Sequence, residues 1–224
     1  MNKNEIEILI PTFNEEGNIK QVIKGLHFEG FNNITLLDAN SIDNTVSIAE
    51  QYNCKILLDD ESVKGFGGSI INGLKNLNSN YFCIFDGDNS FDPKGIDLMM
   101  KEMTNGHDFV FGTRYFGGAK SDDDTLFSKF ANYVISKIVK ILFRINTTDV
   151  LFFYVLGKKE NIAKLDLKQQ DMRICTEFLI KSYRNFKCKE ILSKERKRFS
   201  GSSKVNKVFE GLKILGNILK LYFN

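Results

Sequence analysis

The chain has 224 residues, of which 42% are hydrophobic and 26% are charged, a balance typical of a one-domain globular protein. Its formal net charge of +3 is too small to indicate a nucleic-acid-binding protein. No uncharged apolar run approaches the ~20 residues of a membrane-spanning helix, and residues 1–5 lead at once into a strand pattern, so no signal peptide is predicted. The four cysteines form no Cys-x-x-Cys pair, which predicts reduced core residues of a cytosolic protein.

Apolar strand patterns alternate with helical patterns along the first half of the chain. Strands are predicted at residues 6–10, 34–37, 55–58, 81–85 and 108–112. Helices are predicted to about residue 26, from 45 to 52, from the glycine-rich loop 64–69 to about 77, and onward from Pro93. Asn14 is the predicted N-cap of the first helix. This alternation predicts an α/β fold with a mostly parallel sheet and helices on both faces.

The second half of the chain contains two basic, amphipathic stretches. They cover residues 128–144 and 204–222, with apolar side chains at helical spacing and lysines between them. Such helices either pack on the domain or lie on an anionic membrane surface, and the pattern leaves both possibilities open. Residues 151–156 are nearly all apolar, 176–183 are predicted to be helical, and 191–199 are predicted to form a strand with a basic end.

Two carboxylates, separated by one glycine, follow the fourth predicted strand. Asp86 and Asp88 would lie at the end of a buried strand, where a pair of carboxylates needs a cation. Oxygen ligands favour Mg or Mn, and Mg commonly binds one or two carboxylates together with substrate phosphates. Two other strands end on the polar residues Asn14, Glu15 and Asp38, and parallel sheets bind ligands beyond these strand ends. The alternative is a plain Asp-Gly-Asp turn.

Several sequence blocks lie on these strand ends and glycine-rich loops. They occupy residues 10–15, 37–45, 64–67, 85–93, 112–115 and, as a weaker block, 198–204. Together and in this order, they resemble a family 2 glycosyltransferase of the GT-A fold, in the dolichol- or polyprenyl-phosphate mannose or glucose synthase branch. Two departures bear on specificity. Ala39 stands where many relatives carry a second Asp, and the segment after Asp149 lacks the family's Gly-Phe-Arg.

The resemblance implies roles for individual residues. The nucleotide-binding residues would be Pro11, Thr12, Asn14, Glu15, Asp38, Lys64 and Asp86. Within this group Glu15 would accept hydrogen bonds from the ribose, Asp38 would read the base edge, and Lys64 would face a phosphate or the sugar. Asp86 and Asp88 would bind Mg or Mn, with Asp88 as the direct ligand. The catalytic group would be Asp88, Arg114 and Lys204, of which the two basic residues would meet the acceptor phosphate.

The resemblance also implies the reaction, an inverting transfer of a hexose from a UDP- or GDP-sugar. A sugar hydroxyl as acceptor would require a base, whereas a phosphomonoester is already mostly ionised near neutral pH. No spacing selects one base among Asp122, Asp123, Asp124, Asp149 and Glu177, and the end of the chain is rich in cations. These features favour a polyprenyl or dolichyl phosphate acceptor and a peripheral position on the cytoplasmic face of a membrane.

A single catalytic domain is expected over residues 1–224. Residues 1–118 would bind the nucleotide sugar, 119–204 would bind the acceptor, and 205–224 would form the terminal amphipathic helix. Transfer to a glycan or protein hydroxyl, a nucleotidyltransferase, and a non-catalytic nucleotide-sugar-binding subunit are the alternatives. The nucleotidyltransferase would open on a glycine- and arginine-rich loop that is absent here, and the binding subunit would have no reason to keep a carboxylate pair.

Overall fold

The computed structural model describes residues 1–115, 126–197, 200 and 207–223 and, for 126, 127, 207 and 208, the backbone only. The strands are β1 (Ile6–Thr12), β2 (Ile34–Asp38), β3 (Lys55–Leu58), β4 (Tyr81–Ile84), β5 (Phe109–Thr113), β6 (Val155–Lys158) and β7 (Cys188–Leu192). The α-helices are α1 (Ile19–Phe28), α2 (Thr45–Gln51), α3 (Gly65–Lys75), α4 (Lys94–Thr104), α5 (Leu126–Phe143), α6 (Ile162–Leu165), α7 (Ile174–Asn185) and α8 (Lys207–Phe223). Lys204, Arg198 and Asp122 to Asp124 lie outside the described residues.

The strands form one sheet in the order β3-β2-β1-β4-β6-β5-β7. The pairs β2–β3, β1–β2, β1–β4 and β5–β7 are parallel, whereas β6 runs antiparallel to both β4 and β5. The prediction of a mostly parallel sheet is therefore confirmed. The reversed strand β6 falls partly in the apolar segment 151–156, and a fully buried strand has a continuous apolar sequence whatever its direction. The sequence therefore contained no sign of the reversal.

Helices cover both faces of the sheet, as predicted. On one face, Ile6, Ile8 and Ile10 of β1 pack with apolar residues of α1 and α4. On the other face, Leu9 of β1 packs in a second apolar cluster with residues of α3, α5, α7 and α8. The alternation along β1 follows from the two-residue period of a strand, since both faces of a central strand are covered.

Two boundary predictions were wrong. Asn14 is not the N-cap of the first helix: α1 begins at Ile19 with Asn18 before it, and Asn14 has a left-handed backbone with φ of 54°. The predicted strand 191–199 is β7, which ends at Leu192. Leu192 pairs with Thr113, the last residue of β5, and the Ser193 N–H still donates to Thr113 O, so regular pairing with β5 ends there.

The two amphipathic helices α5 and α8 contact each other and pack on the sheet. Ile135 and Val139 of α5 and Ile214 and Ile218 of α8 are buried in the core. Other apolar side chains on both helices remain exposed, including Phe130, Tyr133, Phe209 and Leu212. Packing on the domain thus explains the apolar residues on the inner faces of α5 and α8, but not those on their exposed faces. Within the part of the chain that the structure describes, no helix combines the length and the apolar character required to cross a bilayer.

Candidate active site

A cleft of about 630 Å³ opens at the carboxyl ends of β1, β2 and β4. These strands are parallel neighbours, so their last residues meet at one edge of the sheet. Of the residues predicted for the site, six line this cleft: Pro11, Thr12, Glu15, Asp86, Asp88 and Arg114. The strand ends therefore converge as the sequence analysis expected.

Asp38 and Asn14 hold the loops beside the cleft and do not line it. Asp38 is fully buried and accepts hydrogen bonds from Thr12 Oγ1 at 3.0 Å and from the Ser41 backbone N–H at 2.8 Å. Asn14 donates its backbone N–H to Ser41 Oγ at 2.9 Å, and its Oδ1 accepts from the Ile42 N–H at 2.9 Å. These bonds join the loops after β1 and β2, so both side chains shape the edge where a nucleoside would lie.

The carboxylate pair has one oxygen atom that fits a cation. Ser90 Oγ donates to Asp86 Oδ2, and the Ser90 backbone N–H donates to Asp88 Oδ1 at 3.0 Å. Asp86 Oδ1 is buried and has no hydrogen-bond partner in the described part of the chain. Burial, and then the negative charge of Asp88, raise the pKa of Asp86 well above its ordinary value. A divalent cation would satisfy the oxygen and offset the burial of its charge.

These two carboxylates are a small ligand set. Among the described residues, no three His, Cys, Asp or Glu side chains come together as a metal site. Mg²⁺ usually retains several waters and takes further ligands from substrate phosphates. Asp86 and Asp88 therefore fit Mg²⁺ or Mn²⁺ shared with a bound diphosphate.

Arg114 is held at the cleft by two carboxylates. Its Nε donates to Asp149 Oδ2 at 2.7 Å and its Nη2 to Asp149 Oδ1 at 3.0 Å, while its Nη1 donates to Glu195 Oε1 at 3.2 Å. Asn132 of α5 donates to Asp149 Oδ1 at 2.8 Å. Burial alone would lower the pKa of Arg114, but the two carboxylates outweigh this effect and raise it. Arg114 is thus a permanent cation whose charge is already compensated.

Glu195 is a cleft residue that the sequence analysis missed. It is buried, lines the cleft and reaches Arg114 from the segment that follows β7. In the sequence it is the one acid within the basic stretch 194–198, and that isolated charge was the available signal. Asp149, one of the carboxylates considered as a base, is fully buried against Arg114 and Asn132.

The glycine-rich loop permits close backbone packing at one side of the cleft. A Cβ at Gly67 would lie 2.7 Å from the carbonyl carbon of Gln170 and would also collide with the backbone oxygen of Gln169. Gly65 has φ of +64°, and the Gly68 N–H donates to Gln170 O at 3.1 Å. The glycines let the start of α3 meet the segment 169–171. Lys64 is exposed and does not line the cleft, so its contact with a phosphate stays a prediction.

Comparisons with known proteins identify what this chain is similar to. The family model described as "Glycosyl transferase family 2" matches residues 7–166. The uncharacterised protein MJ1222 of Methanocaldococcus jannaschii is 28% identical over 98% of this chain and 93% of its own length. The UDP-N-acetylglucosamine–dolichyl-phosphate N-acetylglucosaminyltransferase of Methanococcus voltae is 27% identical, with 80% of each chain covered. The dolichol-phosphate mannosyltransferase of Pyrococcus furiosus is 25% identical over 79% of this chain, which spans 53% of that enzyme's length.

A solved structure matches the whole architecture. Glucosyl-3-phosphoglycerate synthase of Mycobacterium tuberculosis, in complex with Mn²⁺, UDP and phosphoglyceric acid, has a TM-score of 0.75 at 12% identity. The match covers 97% of this chain and 78% of that one. At this identity the likeness shows the fold, which is GT-A, and the predicted fold class is confirmed.

Proposed function

The chain belongs to glycosyl transferase family 2, and from that premise we propose that it moves a hexose from a UDP- or GDP-sugar to a polyprenyl or dolichyl phosphate. The resemblance to this family seen in the sequence is confirmed, and the protein is a glycosyltransferase. The observation that carries the proposal is the buried Asp86 Oδ1, which has no hydrogen-bond partner among the described residues, in a cleft of about 630 Å³ at the strand ends. This oxygen needs a cation as its partner, and a divalent cation bound to a diphosphate leaving group would provide one.

The donor half of the cleft would hold the nucleotide sugar. Glu15 lines the cleft and would accept hydrogen bonds from ribose hydroxyls, while Pro11 and Thr12 would flank the nucleoside. Mg²⁺ or Mn²⁺ bound at Asp86 and Asp88 would supply Lewis-acid stabilisation of the leaving diphosphate. The enzyme in the structural match is described with Mn²⁺ and UDP, which supports this choice of donor and metal.

A phosphate acceptor would be bound by basic residues of the cleft, Arg114 among them. An oxygen of the acceptor phosphate would bond to the anomeric carbon as the bond to the diphosphate breaks, so the carbon is inverted. The acceptor's second proton has a pKa of about 6, and no base is needed. The relatives from P. furiosus and M. voltae are a dolichol-phosphate mannosyltransferase and a dolichyl-phosphate N-acetylglucosaminyltransferase, which supports a dolichyl phosphate acceptor.

Arg114 and Lys204 would receive that phosphate. The contact of Arg114 with Glu195, at 3.2 Å, is longer than its contact with Asp149, at 2.7 Å. We therefore expect the phosphate to replace Glu195 at Nη1, while Asp149 keeps the guanidinium oriented. Charge-assisted pairs between Arg and phosphate are strong and directional, which favours this exchange.

Glu195 also favours a second candidate function. A carboxylate that lines the cleft is what transfer to a glycan or protein hydroxyl would need as its base. The two functions differ in their dependence on this residue, because Glu195→Gln would abolish transfer to a hydroxyl and leave transfer to a phosphate largely intact.

We further propose that the exposed sides of α5 and α8 meet an anionic membrane on its cytoplasmic face. Phe130, Tyr133, Phe209 and Leu212 are between 57% and 67% exposed, and α5 packs against α8. Lysines lie beside these aromatics, since the Lys213 ammonium is 4.4 Å from the Phe209 ring and that of Lys137 is 5.7 Å from the Tyr133 ring. Apolar side chains flanked by cations match a surface of anionic headgroups over acyl chains.

The proposal is tested by supplying purified protein with polyprenyl phosphate, Mn²⁺ and, in turn, GDP-mannose, UDP-glucose and UDP-N-acetylglucosamine. We expect one of these donors to give a radiolabelled, alkali-resistant glycolipid. Asp88→Asn is the inactive control. Product on a sugar-hydroxyl acceptor in place of the lipid would overturn the acceptor assignment, and nucleotide binding with no transfer to either class would indicate a binding subunit.

A further inference from the structure

Asn18 joins two segments of the cleft that are far apart in the chain. Its Nδ2 donates to Glu15 Oε2 at 2.7 Å and to the Ser200 backbone oxygen at 3.2 Å, and its Oδ1 accepts from the Ser200 N–H at 2.9 Å. Asn18 is only 4% exposed, and these bonds span 182 residues of sequence. The buried Asn18 side chain therefore uses both its amide nitrogen and its amide oxygen to connect the loop that carries Glu15 with Ser200.

This use of the side chain is not explained by helix capping. Asn18 occupies the N-cap position of α1, where an Asn side chain would ordinarily accept a hydrogen bond from the helix backbone. It makes no such bond here. Next to it, a Cβ on Gly17 would lie 3.0 Å from Ser200 Oγ, so the contact between the two segments is close. The Asn18 side chain therefore bonds to Glu15 and Ser200 and not to the backbone at the start of α1.

Ser200 belongs to a segment that is also attached beside the metal carboxylates. The Ser193 N–H donates to Thr113 O at 2.9 Å, and the Arg196 N–H donates to Ser90 O at 2.8 Å. Arg196 also pairs with Asp92 at 2.6 Å. Ser90 is the residue that donates to both Asp86 and Asp88. We call residues 193–197 and 200 the crossing segment, since its contacts run from the end of β5 past Ser90 to Asn18.

We propose that Asn18 is a positioning residue that couples donor binding to the placement of the crossing segment. The inference rests on the proposed function for its substrates: Glu15 would hold the nucleotide ribose, and the crossing segment carries Glu195 and leads into the basic residues proposed for the acceptor phosphate. A ribose bound to Glu15 fixes the carboxylate to which Asn18 donates, and Asn18 in turn fixes Ser200. Donor binding would therefore favour the attached position of the crossing segment. By thermodynamic linkage, attachment of the segment must strengthen donor binding by the same factor by which the donor favours attachment.

Steady-state kinetics of Asn18→Ala test the coupling. We expect KM for the nucleotide sugar and KM for the acceptor to rise together, and kcat/KM to fall by about tenfold, as for the loss of one or two net hydrogen bonds. Asn18→Asp keeps the acceptor for the Ser200 N–H but cannot donate to Glu15, so it should restore the acceptor KM more than the donor KM. Asn44→Ala is the matched control, because Asn44 bonds to Glu16 in the same loop and does not touch Ser200.

Limited trypsin digestion gives a readout that does not depend on transfer. Lys194 and Lys197 lie in the crossing segment, so cleavage after them reports how firmly it is attached. We expect cleavage to be about tenfold faster in Asn18→Ala than in the wild type, in line with about one net hydrogen bond. UDP or GDP with Mn²⁺ should slow cleavage of the wild type and of Asn44→Ala but not of Asn18→Ala.

The two assays separate this inference from the proposed function. Nucleotide-dependent protection that requires Asn18, without transfer to any lipid phosphate, would support the coupling and refute the acceptor. Equal cleavage rates in the wild type and Asn18→Ala would overturn the coupling even if glycolipid forms. Faster cleavage of the variant with unchanged KM values would also overturn it, because Asn18 would then be purely structural.

Discussion

Asp86 combines a burial that destabilises the folded chain with the feature that would bind the metal. Its pKa is raised, so the folded protein binds this proton more tightly than the unfolded chain does. The penalty on stability is complete above the folded-state pKa, decreases as the pH falls through it, and is gone only below the pKa of the unfolded chain. Without metal, the folded chain therefore carries a carboxyl group whose ionisation costs stability, as is common at functional sites.

Asp86→Asn should consequently raise stability and abolish turnover. We expect the free energy of unfolding at neutral pH without metal to increase by about 1 kcal/mol, because a neutral amide replaces a carboxyl group whose ionisation is penalised by burial and by Asp88. Urea unfolding measures the first effect and glycolipid synthesis the second. Asp97→Asn, on an exposed residue paired with Lys3, should change neither. Lower stability combined with retained activity would contradict the assignment of Asp86 as a metal ligand.

Replacement of Arg114 should have the opposite effect on stability, because it leaves the buried carboxylate of Asp149 without its partner. Asp149 is fully buried, and its carboxylate depends on the planar, two-pronged contact of the guanidinium. Arg114→Lys should cost about 3 kcal/mol, because an ammonium cannot reproduce that geometry and Asp149 is left partly unpaired. Chemical unfolding measures the loss. Arg173→Lys, in a half-exposed pair with Asp171, should cost less than about 1 kcal/mol, and equal losses for both variants would refute the argument.

At the scale of secondary structure, two glycines in helices have opposite roles. Gly67 in α3 faces the backbone of 169–171, where a Cβ has no room, whereas a Cβ on Gly216 in α8 would meet nothing within 4 Å. The same chemical change therefore has opposite consequences in the two helices.

Gly67→Ala should destabilise the fold by about 3 kcal/mol through backbone displacement, and it should weaken nucleotide binding because Phe66 and Ser69 line the cleft. Gly216→Ala should stabilise it by about 0.5 to 1 kcal/mol through helix propensity. Thermal unfolding of both variants, with calorimetric titration of UDP, makes the comparison. A neutral Gly67→Ala would show that the segment 169–171 adapts easily and that the glycine is not required.

The outer faces of α5 and α8 give a second prediction at this scale. Phe130→Ser and Phe209→Ser should each weaken binding to vesicles of anionic phospholipid by about tenfold, from the lost transfer of an aromatic side chain into the bilayer interface. Phe28→Ser is the matched control, since Phe28 is 87% exposed at the end of α1, a helix on the other face of the sheet. Co-sedimentation with vesicles measures all three. Similar losses for all three variants would mean that exposure alone, and not this surface, determines binding.

For the whole molecule, the sequence predicted what local patterns encode. The alternation of strands and helices was sufficient to predict a mostly parallel sheet. The position of Asp86 and Asp88 after a buried strand was sufficient to predict which edge of the sheet they occupy. Local patterns do not encode contacts between distant segments, so neither the reversal of β6 nor the Arg114–Asp149–Glu195 cluster was foreseen. Asp38 and Asn14 lie beside the cleft with their side chains bonded to neighbouring loops, so their predicted contacts with a nucleoside stay predictions. The division into donor and acceptor halves stays a prediction.

Donor binding should stabilise the whole chain, because the cleft exists only when β1, β2 and β4 are paired. A ligand at about 100 times its Kd adds about 2.7 kcal/mol, which for a chain of this size raises the melting temperature by roughly 5 to 10 °C. Mn²⁺ and nucleotide together should exceed the sum of their separate shifts, since Asp86 and Asp88 supply only part of a coordination sphere that the diphosphate completes.

Differential scanning fluorimetry with UDP and GDP, each with and without Mn²⁺, measures this coupling. The larger of the two nucleotide shifts identifies the base that the edge beside Asp38 and Ala39 accepts. Asp88→Asn should lose the extra shift given by Mn²⁺ while it keeps a small shift from the nucleotide alone, because Glu15 and the loops after β1 and β2 are unchanged. Strictly additive shifts in the wild type would mean that metal and diphosphate bind independently, and the carboxylate pair would then not be the site where they meet.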